Sequence, residues 1–183
     1  MVASKNILGV PRCVALTDGD PLAVDLLKQN LQNPTNAIDQ SMVKETRLLW
    51  GTDDTEGMSQ FSKWCQTQWP ELWPNNLQDD KNQQEENSSK TPSFDLIIAG
   101  DVLYKETLPL LFFQTVEALL DEDGTLWLCH VPRFNVTQEI VVDAATTAGF
   151  AMESHPLTDC DIPGCPLEDR ERARIYRITK KLR

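Results

Sequence analysis

The chain has 183 residues, enough for one domain with one core but scarcely enough for two. The hydrophobic fraction of 40% and the charged fraction of 25% are ordinary for a globular domain, which excludes a collagen, a coiled coil or a disordered chain as the main body. The net charge of −11 argues against nucleic acid as a partner, because that binding needs a basic surface. No apolar run approaches the roughly 20 residues that span a bilayer, so no membrane partner is expected.

The cysteines bear on the cellular compartment. There are five, an odd number, and the first ten residues lack the apolar core of a signal peptide. This combination predicts free thiols in a cytoplasmic or nuclear protein. Only His130 and His155 could add imidazole ligands to a zinc site, so no metal is expected.

The first predicted elements are a strand, a turn and a helix. The apolar run Cys13–Thr17 predicts a buried strand, and the polar residues Asp18–Pro21 predict the turn that ends it. Asp20 suits the N-cap of the helix that follows, and Pro21 suits its first turn. Leucines at helical spacing extend this amphipathic helix to about Asn33.

A second strand and a long interruption come next. Lys44–Trp50 alternates loosely between apolar and polar residues and predicts a strand that ends at Gly51. The first part of the interruption is rich in aromatic residues and predicts a short helix ended by two prolines. The second part, Asn75–Lys90, is almost entirely polar and cannot bury enough apolar surface to offset the entropy of ordering. We therefore predict a disordered insertion at about 75–92.

The second half of the chain alternates strongly between strand and helix patterns. Its strongest strand is predicted at Phe94–Gly100, and the helix after it is expected to be closed by Asp121–Gly124. A later helix should end at Gly149 in the C′ position. The remaining predictions are helices at about Leu108–Leu120 and Thr137–Ala148 and strands at Thr125–Val131, Phe150–Ser154 and Ala173–Thr179.

This order predicts an α/β domain with a mostly parallel sheet and a C-terminal antiparallel hairpin. In such sheets, ligands bind outside the carboxyl ends of the strands. The rule singles out Asp18, Trp50 with Gly51, and Asp101, each at a predicted strand end.

Each candidate residue has a functional and a structural interpretation. Asp18 could accept hydrogen bonds from both hydroxyls of a ribose, or it could shape the turn together with Asp20. Trp50 could stack on a purine, or it could belong to the core. Asp101 fits an active-site rim better than a core, and Tyr104 adds a ring with a polar tip, but both could simply cap a turn and pack.

Several common motifs are missing from the sequence. It contains no Gly-x-Gly-x-x-Gly, no P-loop and no Gly-x-Ser-x-Gly elbow. These absences disfavour a dinucleotide oxidoreductase, a kinase and a serine hydrolase. Arg133, a cation just after Val131 and Pro132, is compatible with either a site residue or a solvated surface arginine.

Four stretches of the chain form one larger pattern: Val14–Asn30, Leu48–Gly51, Phe94–Tyr104 with its Asp-x-x-Tyr segment, and Val131–Arg133 with Ala148–Phe150. Together they resemble the class I, seven-strand S-adenosylmethionine-dependent methyltransferases. More narrowly, they are similar to methyltransferase family 16, which contains many protein-lysine methyltransferases. The likeness covers most of the chain outside the interruption at 52–93.

The resemblance implies a cofactor, a reaction and roles for the candidate residues. S-adenosylmethionine would be bound with Asp18 on its ribose, Trp50 and Gly51 beside its adenine, and Asp101 at the mouth of the methyl-transfer site. Tyr104 would shape that site. The reaction would be attack of a neutral amine on the sulfonium methyl, with positioning supplying most of the rate. The net charge of −11 would suit a basic protein substrate.

One departure from the family is large. The family's first strand lies in the middle of the sheet and ends in a Gly-rich loop, whereas only about a dozen residues, with the single glycine Gly9, precede the first strand predicted here. We therefore expect residues 1–183 to form a single partial methyltransferase domain, truncated at its N-terminus. The two neighbours of the missing strand are expected to have exposed edges.

Two hypotheses from different classes follow. In the first, the chain belongs to a methyltransferase that acts on a protein lysine. In the second, it is a non-catalytic interaction module that has kept the fold and lost cofactor binding. The sequence does not predict the oligomeric state.

Overall fold

A computed structural model of the chain describes residues 2–3, 11–51, 55–73, 92–157, 164 and 166–181. The strands are β1 (Val2–Ala3), β2 (Val14–Asp18), β3 (Val43–Arg47), β4 (Phe94–Gly100), β5 (Leu120–His130), β6 (Phe150–Pro156) and β7 (Arg174–Lys180). The α-helices are α1 (Pro21–Gln32), α2 (Thr55–Gln68), α3 (Leu108–Leu119), α4 (Gln138–Thr147) and α5 (Leu167–Arg172), with a 3-10 turn at Pro34–Asn36.

The strands form one seven-stranded sheet in the order β3-β2-β1-β4-β5-β7-β6. Strand β2 runs parallel to β3 and β4 runs parallel to β5, while β7 is antiparallel to both β5 and β6. The predicted α/β class, with a C-terminal antiparallel hairpin, is confirmed.

The middle of the sheet differs from the expectation of two exposed edges. A parallel first strand is absent from the described residues, but Val2–Ala3 occupies the place between β2 and β4 and runs antiparallel to both. Any extended dipeptide offers ladder donors and acceptors on both sides, which is enough to pair part of each edge. Both edges are therefore partly paired.

The core lies mainly against β4, β5 and the helices packed on them. Six residues of α3 are buried, and the phenyl rings of Phe112 and Phe113 contact each other with centroids 5.2 Å apart. Phe113 also packs on Phe150 at the start of β6. Rings at these positions remove a large apolar area from water and fix how the helix sits on the sheet.

Local signals predicted several helix ends correctly. The Asp20 carboxylate accepts a hydrogen bond from the Leu22 N–H at 2.9 Å and caps α1, and Thr137 caps α4. Gly149 follows α4 with φ of +87°, as a C′ glycine should.

The predicted boundary between α3 and the strand that follows it was wrong. Residues Asp121–Gly124 were expected to form a turn, but β5 begins at Leu120 immediately after α3 and includes them. The ladder with β4 has an irregularity here, and a Cβ on Gly124 would lie 2.8 Å from the Leu120 side chain. Glycine therefore permits the close approach that lets the strand start early.

The interruption between β3 and β4 is only partly described. Its aromatic part contains α2, which is longer than the short helix predicted, and the helix ends before Pro70. The predicted disordered insertion at about 75–92 lies almost wholly outside the described residues. Within the described part of the chain, no helix has the length and apolar character needed to cross a bilayer.

Candidate functional site

Three parallel strands bring polar residues to one edge of the sheet. Asp18 is the last residue of β2, Asp101 directly follows β4, and His130 is the last residue of β5. Because β2, β4 and β5 point the same way, these residues share the carboxyl edge, where α/β sheets bind ligands.

Asp18 is exposed and takes part in the turn after β2. Its Oδ1 accepts a hydrogen bond from the Asp20 N–H at 2.8 Å, and the Arg47 Nε donates to the Gly19 carbonyl at 2.9 Å. Asp18 therefore helps to shape this turn, and its role toward a ribose stays a prediction. A carboxylate has about four lone-pair positions, so this bond leaves capacity for hydroxyl donors of a ligand.

Trp50 and Gly51 lie beyond β3 rather than at its last residue, because β3 ends at Arg47. The half-buried Trp50 packs edge-on against Phe112, with ring centroids 5.1 Å apart. Part of the indole thus belongs to the core, as the structural alternative predicted.

Gly51 joins this segment to α3. Its N–H donates to the Thr115 hydroxyl at 2.9 Å, and that hydroxyl donates to the Leu111 carbonyl at 3.0 Å. Gly51 has φ of +121°, and a Cβ there would lie 3.2 Å from a Leu111 methyl group. The positive φ favours glycine at this position, and a Cβ would also press on the Leu111 side chain.

Asp101 sits on a sharp turn at the rim. It has φ of +52°, and its N–H donates to the Cys129 carbonyl at 3.0 Å. Its carboxylate forms an ion pair with the Arg133 guanidinium at 2.9 Å, and about half of each side chain is exposed. Asp tolerates the left-handed conformation better than most residues, which lets the carboxylate project at the strand end.

Tyr104 and Phe134 present rings to solvent near this turn. The side chain of Tyr104 is 51% exposed, and the Lys105 ammonium lies 5.9 Å from its ring centroid. Phe134 is 89% exposed, with φ of +53°. An exposed aromatic ring held by a left-handed backbone is unusual, because such residues are normally placed where they can bury.

A cavity of about 320 Å³ lies beside Arg133. In its wall, the Arg172 guanidinium donates a hydrogen bond to the Pro132 carbonyl at 2.6 Å. Its wall combines apolar and charged side chains: Val131, Pro132, Arg133, Phe134, Asp169 and Arg172.

His130 is the site residue that sequence reasoning missed, since it was weighed only as a zinc ligand. Its ring is buried, Nε2 lies 3.3 Å from the Val136 carbonyl oxygen, and Nδ1 has no partner among the described residues. Burial lowers the pKa of His130, while the Val136 carbonyl and the charge of Asp101 act in the opposite direction. The available sequence signal was a polar residue near the end of the apolar run at 125–131.

The described residues differ in how well they suit a metal ion and a nucleoside. No three of their His, Cys, Asp and Glu side chains are placed to hold a metal ion. The carboxylate of Asp18 and the accessible part of Trp50 suit the ribose and adenine of a nucleoside.

Comparison with solved structures identifies the fold. A TehB-like SAM-dependent methyltransferase from Corynebacterium glutamicum matches with a TM-score of 0.53 and 16% identity, over 92% of this chain and 68% of that one. A precorrin-6y C5,15-methyltransferase from Geobacter metallireducens matches at 0.50 and 13%, over 92% and 68%. The protein SMU.776, complexed with SAH, matches at 0.51 and 9%, over 94% and 40%. The chain has the class I methyltransferase fold.

These likenesses stop at the fold, because the identities are low. No protein-family model matches the chain, and no curated protein matches it either. The resemblance to class I methyltransferases is thus confirmed at the level of fold, while the narrower resemblance to family 16 stays a prediction.

Proposed function

We propose that this chain is part of an S-adenosylmethionine-dependent methyltransferase whose methyl acceptor is a protein lysine. The observation that carries the proposal is the carboxyl edge of a class I methyltransferase sheet, where Asp18 and Asp101 present carboxylates at the ends of β2 and β4. Carboxylates at such strand ends are suited to a ribose and to an amine, respectively.

The cofactor would be bound mainly through its nucleoside. Asp18 would accept hydrogen bonds from the ribose hydroxyls while keeping its bond to the Asp20 N–H. The adenine would lie beside Trp50, whose indole packs edge-on against Phe112. It would also lie beside Gly51, whose N–H donates a hydrogen bond to the Thr115 hydroxyl. S-adenosylmethionine supplies an activated methyl group when bound.

The lysine acceptor rests on the family 16 resemblance and on charge. Asp101 is half-exposed and Tyr104 stands three residues further on, so an amine at the rim would meet an acceptor oxygen and an apolar ring. The net charge of −11 favours approach of a basic protein. The Arg133 guanidinium already forms an ion pair with the Asp101 carboxylate, so the amine would compete with it for Asp101.

A specific observation also favours the interaction module. Each candidate residue already has a partner within the chain: Asp18 bonds to the Asp20 N–H, Trp50 packs on Phe112, and Asp101 pairs with Arg133. All three interactions would stabilise the edge of the sheet without any ligand.

Calorimetric titration of the chain with S-adenosylmethionine separates the two functions. The methyltransferase proposal expects saturable binding that Asp18→Ala weakens by about tenfold or more, because hydrogen bonds to a charged group are lost. The control Asp143→Ala removes the same charge from the exposed face of α4 and should leave the affinity unchanged. Absence of binding by the chain would favour the interaction module.

The acceptor is tested with radiolabelled S-adenosylmethionine and two model polymers. Label should be transferred to poly-L-lysine and not to poly-L-arginine, and Asp101→Ala should reduce the rate. Transfer to poly-L-arginine alone would contradict the lysine assignment but keep the methyltransferase. Cofactor binding without transfer to either polymer would contradict a basic side chain as acceptor.

A further inference from the structure

The loop between β5 and α4 is held at several points of its backbone. The Val136 N–H donates to the Arg133 carbonyl at 3.0 Å, and Nε2 of the buried His130 ring lies 3.3 Å from the Val136 carbonyl oxygen. From α5, the Arg172 guanidinium donates to the Pro132 carbonyl at 2.6 Å. The loop is therefore fixed both by the strand before it and by a neighbouring helix.

Phe134 stands in the middle of this loop in an unfavourable state. Its φ of +53° lies in the left-handed region, which a bulky side chain rarely adopts. Its side chain is 89% exposed, so burial within the chain offsets little of that strain. Strained residues that their surroundings hold in place are typical of binding sites. The fixed loop thus presents an aromatic ring to which a ligand could bind.

The cavity of about 320 Å³ lies between this loop and α5, and its wall combines three apolar side chains with three charged ones: Val131, Pro132 and Phe134, and Arg133, Asp169 and Arg172. Phenyl rings pack on each other, and guanidinium groups stack on the faces of aromatic rings. The two guanidinium groups also disfavour a lysine or arginine side chain here, although the whole chain carries a charge of −11. The cavity therefore suits an uncharged aromatic side chain.

Arg133 connects this cavity with the candidate acceptor site. Its guanidinium lies 2.9 Å from the Asp101 carboxylate, and the same side chain lines the cavity. The two positions are thus separated by about the length of one side chain. In an extended peptide, residues two places apart point to the same side and lie about 6.6 Å from each other. One extended substrate segment could therefore reach both positions.

We propose that the cavity beside Phe134 binds an aromatic side chain of the methyl-acceptor protein, two positions away from the lysine that approaches Asp101. This inference rests on the proposed function and adds a requirement on the sequence around the acceptor lysine. When the amine displaces the Arg133 guanidinium from Asp101, that guanidinium can lie over the face of the bound ring, which offsets part of the cost of breaking the ion pair.

The test titrates the isotope-labelled chain with capped peptides and follows the backbone amide shifts by NMR. The peptide Gly-Phe-Ser-Lys-Ser-Phe-Gly has an aromatic residue two positions from its lysine in either direction. The peptide Gly-Ser-Phe-Lys-Phe-Ser-Gly has the same composition, but both of its aromatic residues are adjacent to the lysine. The first should bind about fivefold more tightly, with its largest shifts at residues 131–136. Equal affinities, or shifts that avoid this loop, would overturn the proposal.

Variants of the chain locate the aromatic subsite. Phe134→Asn removes the ring but suits the left-handed backbone, so it should abolish the preference between the two peptides without lowering the stability of the chain. Leu26→Ala is the control, because it truncates a side chain that is 57% exposed on α1 and should keep the preference. Retention of the full preference in Phe134→Asn would refute the subsite.

A third peptide separates the subsite from the proposed function, and these titrations contain no S-adenosylmethionine, so they do not depend on methyl transfer. Gly-Phe-Ser-Gln-Ser-Phe-Gly keeps the aromatic residues and lacks the amine, so it should bind about threefold more weakly than the lysine peptide while still shifting the Phe134 amide. Equal affinity of these two peptides would contradict an amine at Asp101 and keep the subsite. Loss of the shifts at Phe134 would contradict the subsite itself.

Discussion

The two sides of the sheet, divided at β1, differ in how firmly they are held. On the β4 side, α3 packs on β5 and α4 packs on β6, and rings such as Phe113 and Phe150 have essentially no exposed surface. On the β2 side, α1 leaves Leu22 and Leu26 exposed at 75% and 57%, and only Leu31 of that helix is buried.

This difference indicates which side of the sheet is more stable and which side carries each candidate binding residue. The β4 side contributes the larger share of the buried core, and it carries Asp101, His130 and Arg133. The β2 side carries Asp18 and is joined to the rest through a two-residue strand, the Gly51–Thr115 hydrogen bond, the packing of Trp50 on Phe112 and a few buried side chains of the shared core, Cys13, Ala15 and Leu48. We infer that the ribose-binding candidate stands on the less stable part of the sheet, where local opening requires less free energy.

The largest expected effect is in the core of the β4 side. Phe113→Ala should lower the free energy of unfolding by about 3–5 kcal/mol, because it removes a fully buried ring that packs on Phe112 and Phe150. Leu26→Ala on α1 is the matched truncation on the other side and should stay within about 0.5 kcal/mol. Urea unfolding measures both, and equal losses would contradict the asymmetry.

The second prediction concerns the connection between the two sides. Gly51→Ala should cost about 1–3 kcal/mol, because alanine is strained at φ of +121° and its methyl would press on Leu111. Gly100→Ala is the control, since its Cβ position is open. Amide exchange in β3 should accelerate more than exchange in β5 if Gly51 ties the β2 side to α3. A uniform acceleration would instead mean that the sheet opens as one unit.

The order of the elements was predictable because short-range sequence signals specify where each helix and strand begins or ends. The Asp20 cap, the apolar run at 94–100 and Gly149 each act through near neighbours, and each was predicted correctly. The two-residue central strand was not predictable, since nothing in Val2–Ala3 distinguishes it from a tail, and its pairing depends on strands far along the chain. Tertiary pairing overrides weak local preference in such cases.

The site was predictable in part for the same reason. The strand-end rule located Asp18 and Asp101, whose positions follow from parallel strands. It placed Trp50 at a strand end, whereas the strand stops at Arg47 and the indole turns toward Phe112. The partnership of Asp101 with Arg133 and the burial of His130 depend on side-chain packing at the ends of two strands, which sequence spacing does not encode.

The third prediction uses the titration of His130 on the β4 side. Because burial lowers its pKa below the ordinary value of 6.5, the unfolded chain binds the proton more readily. Stability should therefore fall as the pH drops through 6.5 and level off below the pKa of the folded state. His130→Leu should flatten this slope between about pH 7 and pH 5. His155→Gln, at an exposed position on β6, should not, and retention of the full slope in His130→Leu would assign it to other groups.

The smallest expected effect is the ion pair at the rim of the same side. Asp101 and Arg133 are each about half exposed, so a double-mutant cycle with Asp101→Asn and Arg133→Gln should give a coupling of about 0.2–1 kcal/mol that declines in 1 M salt. A coupling in this range leaves the carboxylate available, because an amine at the rim could displace the guanidinium at little cost. A salt-independent coupling above about 2 kcal/mol would exceed what exposed pairs contribute. Such a coupling would mean that Arg133 holds Asp101 in a structural role. The β4 side would then be stable, but the Asp101 carboxylate would not be available to a methyl acceptor.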